Sequence, residues 1–125
     1  GFGSDCMMDP WYSLGKADML DVAFMGLHVG QLSSRADMAW CFDAVTQNSA
    51  EIMHLDGYGL AKGNNASFVV LQATDKIEAI RLRAHCLAVV RNGKLIARSQ
   101  PVTHSLTRDG VSRTLDEARI SGQSG

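Results

Sequence analysis

One stretch near the start of the chain gathers residue types that do chemistry: Gly3-Ser4-Asp5-Cys6-Met7-Met8-Asp9-Pro10-Trp11-Tyr12-Ser13-Leu14-Gly15. Asp5 leads it. A deprotonated carboxylate at a strand end, ahead of a long loop, can ligate a metal or take a proton from an activated water. The same placement also fits an ordinary aspartate that caps its own loop. Trp11 and Tyr12 offer aromatic faces on which a flat heterocycle can stack, or which anchor the loop. Asp9, just before Pro10, reads as a turn residue whose carboxylate bonds its own backbone.

The histidines are His28, His54, His85 and His104, and no two have the HxH or HExxH spacing of a metal pair. They fall mid-helix, near a helix end, at a strand start and in the C-terminal tail, which are structural or solvent positions. A complete zinc or iron site cannot be assembled from these spacings. No Ser-His-Asp order, phosphate loop or Gly-rich dinucleotide motif is present. Cys6, Cys41 and Cys86 are odd in number and widely spaced. They read as bystander or core thiols in a reduced, cytoplasmic setting rather than as a disulfide framework.

The 125 residues are 46% hydrophobic and 20% charged, with a net charge of −1. That is an ordinary globular composition of one-domain size. No basic run points to nucleic acid or an anionic membrane, and the longest apolar run is far short of a membrane span. Gly1 opens without a charged leader region or an initiator Met, so an upstream portion is expected to be missing.

The elements that must position the opening stretch follow from periodicity. Gly1 to Asp5 fits the end of a strand. Residues 17–32 read as a helix with Asp18 and Asp21 in its first turns, and with apolar residues round most of its circumference. Such a helix needs neighbours on more than one side. Ser33-Ser34 breaks the chain and offers a cap. Residues 35–46 form a second helix, with Met38, Cys41, Phe42 and Val45 on one face. A third, short helix runs to about Leu55, with Asn48 as N-cap and Glu51 as its capping-box partner. Met19, Met25, Met38 and Met53 are expected in the helix core. Residues 67–72 then read as a strand, and residues 75–83 as a helix with Ile77, Ile80 and Leu82 on its apolar face. The pair Asn92-Gly93 lies between two β-rich runs and predicts a type I′ hairpin. After Gln100 the composition fades to Ser, Thr, Gly and balanced charge, which predicts a disordered tail apart from one helical turn at 115–120.

The opening motif, Ser4 to Gly15, resembles the segment that follows the eighth barrel strand in cytosine deaminases of the amidohydrolase superfamily. Residues 19–29 are similar to the helix that comes next in those enzymes. Asn48 to Met53, Tyr58 to Leu71 and the hairpin Val90 to Ala97 resemble the superfamily's return from barrel to β-sandwich. The resemblance covers residues 1 to 100. It implies that Asp5 is the aspartate that binds a divalent metal, iron or zinc, and shuttles the proton of the hydrolytic water. It implies that Trp11 lines the substrate pocket. Cys6 falls where a well-known bacterial member carries a second Asp that helps to hold the substrate, and this departure bears on the substrate. Ser4 replaces a His of that enzyme. Ser67 replaces the Asp usual in the sandwich motif, which is expected to affect folding rather than catalysis. The superfamily's HxH, its later histidines and its acid–base Glu have no counterpart here.

The implied architecture is α/β. It is the C-terminal fragment of a metal-dependent (β/α)8 TIM-barrel hydrolase with part of a small β-sandwich, helix-rich and carrying a C-terminal β-hairpin. Residues 1–56 would close the barrel and add helices, 57–100 would belong to the sandwich, and 101–125 would be tail. The implied activity is hydrolytic deamination of cytosine or a related small heterocycle, in an enzyme that is a homo-oligomer at full length. The 125 residues alone are expected to be inactive. The alternatives are an amidohydrolase acting on another cyclic amide or amidine, or a structural or interaction module.

Overall fold

The computed structural model describes residues 1–5, 7–11 and 13–115. Among them the order is α1 (Met19–Val29), α2 (Arg35–Ala44), α3 (Gln47–Ile52), β1 (Phe68–Leu71), α4 (Lys76–Leu82), β2 (Cys86–Arg91), β3 (Lys94–Arg98), β4 (His104–Arg108) and β5 (Val111–Leu115).

The helix starts follow from capping chemistry. The Asp18 carboxylate accepts from Leu20 N at 2.9 Å and opens α1. Ser34 and Asp37 form a capping box at α2, with Asp37 N donating to Ser34 Oγ at 3.1 Å and Ser34 N donating to Asp37 Oδ2 at 3.0 Å. Asp75 opens α4 by accepting from Ile77 N and Glu78 N, each at 2.8 Å. The expected cap of α3 is not realised. The helix begins at Gln47, before Asn48, and ends at Ile52 rather than near Leu55. Thr46 stands at the cap position, but its hydroxyl donates backwards to Phe42 O at 2.8 Å, so α3 grows directly out of the last turn of α2.

The core lies where α1, α2 and α4 meet, on Leu20, Ala23, Leu27, Cys41, Ala79, Ile80 and Ala84, with Met38, Phe42, Val45 and Leu71 packed against it. On α1 only Leu20, Ala23 and Leu27 are buried, while Met25 and Val29 face outward, 56% and 82% exposed. The helix is apolar all round, yet only one side is covered. Met53 is likewise exposed rather than core. On α4 the buried residues are Ile77, Ala79 and Ile80, and Leu82 is 44% exposed. Ile77 and Ile80 lie three apart and share a face; Leu82 lies five on from Ile77 and turns away from it.

The strands make an antiparallel sheet in the order β1-β2-β3 and a separate two-stranded hairpin, β4-β5. Arg91 pairs with Lys94 across Asn92-Gly93. Both turn residues have positive φ, 49° and 74°, as a type I′ turn requires. The hairpin β4-β5 corrects the expectation of disorder after Gln100. Its turn is Asp109-Gly110, again with φ positive at both residues, 52° and 77°. Thr107 Oγ1 donates to Ser112 Oγ at 3.1 Å across it. Gln72 ties the connecting segment back to the sheet, exchanging hydrogen bonds with Val102 N and O at 2.9 and 2.7 Å. The helical turn predicted at 115–120 is replaced at Leu115 by the end of β5, and its remainder lies outside the described residues.

Candidate active site

Gly1 to Asp5 forms no strand here. A barrel strand needs neighbours for its ladder, and none of the described strands pairs with it. The segment is held through Phe2 instead. Phe2 N donates to Ala44 O at 3.0 Å, and Ser49 Oγ donates to Ala44 O at 2.7 Å and to Phe2 O at 3.4 Å. The Phe2 ring meets Trp40 edge-on at 5.5 Å and covers the bare Cα of Gly26. Three helices therefore fix the backbone three residues before Asp5.

Asp5 itself is exposed. It makes no hydrogen bond or ion pair with another described residue. Beyond it the chain folds into a closed loop in which Met8 N donates to Leu14 O at 3.1 Å. Asp9 sits inside this loop, half-buried, accepting from Trp11 N at Oδ1 (2.9 Å) and from Met7 N at Oδ2 (3.3 Å). This is the backbone-bonding turn role expected of it. Pro10 suits the turn because its φ is preset and it brings no N–H to satisfy. Trp11 projects from the loop, 89% exposed. Cys6 and Tyr12 lie outside the described residues.

A catalytic metal needs about three protein ligands. Among the described residues no group of three or more His, Cys, Asp or Glu side chains is placed to hold an ion. Asp5 can supply one carboxylate, and the described residues do not complete a site around it. The histidines lie elsewhere in the fold. His28 Nδ1 is 2.9 Å from Phe24 O, with its ring 4.4 Å from the Phe24 ring. His85 precedes β2, where its carbonyl accepts from Gln72 N at 2.9 Å. His104 starts β4. His54 borders an open depression of about 330 Å³ with Gln47, Glu51, Asp56 and Tyr58. Burial there pushes the Tyr58 phenol up from its ordinary value. Neither Asp5 nor Trp11 lines this depression. No local sequence pattern marks it, because it forms where the chain turns back after α3, at His54 (φ 52°) and Gly57 (φ 68°).

No helix among the described residues is long and apolar enough to cross a membrane. The profile of the Amidohydrolase family matches residues 1–97. The chain is 27% identical over 103 residues to N-isopropylammelide isopropyl amidohydrolase of Pseudomonas sp. (strain ADP), covering 82% of this chain and 26% of that protein. Among solved structures it is similar to 5-methylcytosine deaminase from Klebsiella pneumoniae liganded with 5-fluorocytosine. There the TM-score is 0.73 at 39% identity, over 80% of this chain and 24% of that one. It is also similar to N-isopropylammelide isopropylaminohydrolase from Burkholderia multivorans ATCC 17616, with a TM-score of 0.70 at 29% identity, over 74% of this chain and 24% of that one. The chain thus spans about a quarter of the length of these relatives. A mixed helix and strand fold that superposes on amidohydrolases, with a family profile running through Asp5, the helices and the Asn92-Gly93 hairpin, places this chain in the amidohydrolase family.

Proposed function

We propose that this chain supplies the C-terminal part of an amidohydrolase that hydrolyses an exocyclic C–N bond of a small heterocycle, with cytosine or a close pyrimidine as the first substrate to test. The observation that carries this reading is 39% identity, at a TM-score of 0.73, to a 5-methylcytosine deaminase solved with a pyrimidine bound. In this reading Asp5 gives one carboxylate to a divalent metal, iron or zinc, and holds the proton taken from water. Trp11 and Cys6 flank the heterocycle. The ion would contribute Lewis acidity that lowers the pKa of water. Its remaining ligands would come from segments outside these 125 residues. Residues 1–56 would then close a (β/α)8 barrel, and 57–100 would belong to a β-sandwich. The exposed Met25 and Val29 of α1 fit a helix whose second side is covered by the rest of a barrel.

A second substrate class is favoured by the likeness to the two N-isopropylammelide hydrolases, whose substrate is a substituted triazine. Both readings are tested in a chimera in which this chain replaces the matching C-terminal quarter of the Klebsiella deaminase. Turnover of cytosine or 5-methylcytosine, lost together with bound metal in Asp5→Ala, is the expected result. Turnover of N-isopropylammelide alone selects the triazine reading. A chimera that folds and binds metal but turns over neither sinks both, and turnover by the 125-residue chain alone would overturn the claim that its site is incomplete.

A further inference from the structure

The opening motif holds two aspartates four residues apart, and the structure gives them different employment. Asp5 is exposed, with its carboxylate unengaged by other described residues. Asp9 is half-buried and has an oxygen on each of two backbone N–H groups, Met7 at 3.3 Å and Trp11 at 2.9 Å. We propose that Asp9 is the positioning residue of the site: it sets the backbone of the loop that carries Trp11 and contacts neither metal nor substrate itself. This deepens the proposed function and rests on it for the role of Trp11.

Three observations support the assignment. The two acceptor bonds reach in opposite directions along the chain, so the one carboxylate spans the loop from Met7 to Trp11. The loop is closed independently by Met8 N donating to Leu14 O at 3.1 Å, with Pro10 and Trp11 exposed between the two. Met8 holds a left-handed φ of 49°, which costs a non-glycine residue free energy and persists only where surrounding bonds impose it. Asp9 is the side chain placed to impose it, since it grips the residue on one side of Met8 and turns the chain on the other. The Asp9 carboxylate is turned to the backbone of its own loop, and among the described residues no group of three or more His, Cys, Asp or Glu side chains is placed to hold an ion around it.

Amide hydrogen exchange on this chain, resolved by residue, tests the clamp directly. In the wild type the Met7 and Trp11 amides exchange slowly relative to exposed loop amides. Asp9→Ala should speed both by about tenfold or more and leave α1 and α2 unchanged. Asp9→Asn should separate them. Its one remaining oxygen still accepts from Trp11 N, while its NH2 cannot accept from Met7 N, so only Met7 speeds up. Unchanged exchange in Asp9→Ala overturns the proposal, and so does faster exchange throughout α1 and α2, which would make Asp9 a general fold residue. In the chimera described above, Asp9→Ala should raise KM by about tenfold with kcat and metal content near wild type, and Asp9→Asn should recover part of that loss. Loss of metal would overturn the assignment by making Asp9 a ligand. A wild-type chimera without turnover counts against the proposed function alone, because the exchange pattern decides the clamp by itself.

Discussion

The ring of Phe2 lies over Gly26 so closely that a Cβ built on Gly26 would stand 2.6 Å from Phe2 Cε2. This contact seats the segment that carries Asp5 against α1. Two effects compete in Gly26→Ala. Alanine favours the helix by about 0.5–1 kcal/mol, while overpacking a close contact costs about 1–3 kcal/mol. The clash should win, with a net loss of about 1 kcal/mol in urea unfolding at unchanged m-value. In a Phe2→Ala background the clash is gone, and the same Gly26→Ala change should become stabilising by about 0.5–1 kcal/mol. A loss of the same size in both backgrounds would show that the ring does not limit this position.

Ser67 should act on the hairpin and not on the site. Its hydroxyl donates to Asn92 Oδ1 at 3.3 Å and accepts from Asn92 N at 3.0 Å, while Gly93 N donates to Ala66 O at 2.8 Å. The turn between β2 and β3 is thus pinned to the start of β1. Ser67→Ala should cost about 0.5–1.5 kcal/mol and speed amide exchange in β2 and β3 before it affects α1. Gly93→Ala should cost about 1 kcal/mol for its φ of 74°, although no atom beyond its two chain neighbours stands within 4 Å of the added methyl. Unaltered exchange in β2 and β3 for both variants would count against the pinned turn.

Local chemistry made much of this fold legible in sequence, and non-local chemistry hid the rest. Asn92-Gly93 specifies its turn within two residues, and the Ser34 and Asp75 caps act within three, so these elements stand where the residues predict them. Asp109-Gly110 carries the same hairpin signal as Asn92-Gly93, but the Ser- and Thr-rich composition around it masks that signal. Gly1 to Asp5 can be a strand only beside partners that lie far off in sequence or outside the chain, and it takes a coil path pinned by Phe2. The site was legible only as a loop. Periodicity and turn chemistry predict the Asp9-Pro10 turn, but a metal centre draws ligands from separate segments, and no local pattern around Asp5 encodes them.

Two helix caps should give the chain a shared weakness to acid. The Glu78 backbone N–H, helped by that of Ile77 and by Arg35 and Arg81, holds the Asp75 carboxyl below its ordinary 3.8 against an opposing effect of burial. The Ser34 hydroxyl and backbone N–H do the same for Asp37. Both carboxyls are lowered in the folded state, so their stabilisation is fully present above pH 3.8 and is lost as pH falls through the native values. Unfolding free energy followed from about pH 5 to pH 2 should therefore fall as the solution is acidified. Asp75→Asn and Asp37→Asn keep a capping oxygen without its charge. Each should lower stability at neutral pH towards the level the wild type reaches in acid, and so flatten the acid slope. A slope as steep as wild type in the double variant would place the acid sensitivity elsewhere.

Cys41 and Cys86 should differ sharply towards alkylating reagents. Cys41 is fully buried in the cluster where α1, α2 and α4 meet, whereas Cys86 is half-buried at the start of β2. Burial, and after it the negative charge of Asp37, pushes the Cys41 thiol up from its ordinary 9.0. Both causes reduce the thiolate that reacts, and close packing blocks the reagent as well. Labelling with N-ethylmaleimide at pH 8, followed by peptide mapping that separates Cys6 from both, should modify Cys86 at least about tenfold faster than Cys41. Urea below the unfolding midpoint should speed Cys41 far more than Cys86, because Cys41 reacts only when the helices part. Equal rates for the two in native buffer would mean that the three helices do not close over Cys41.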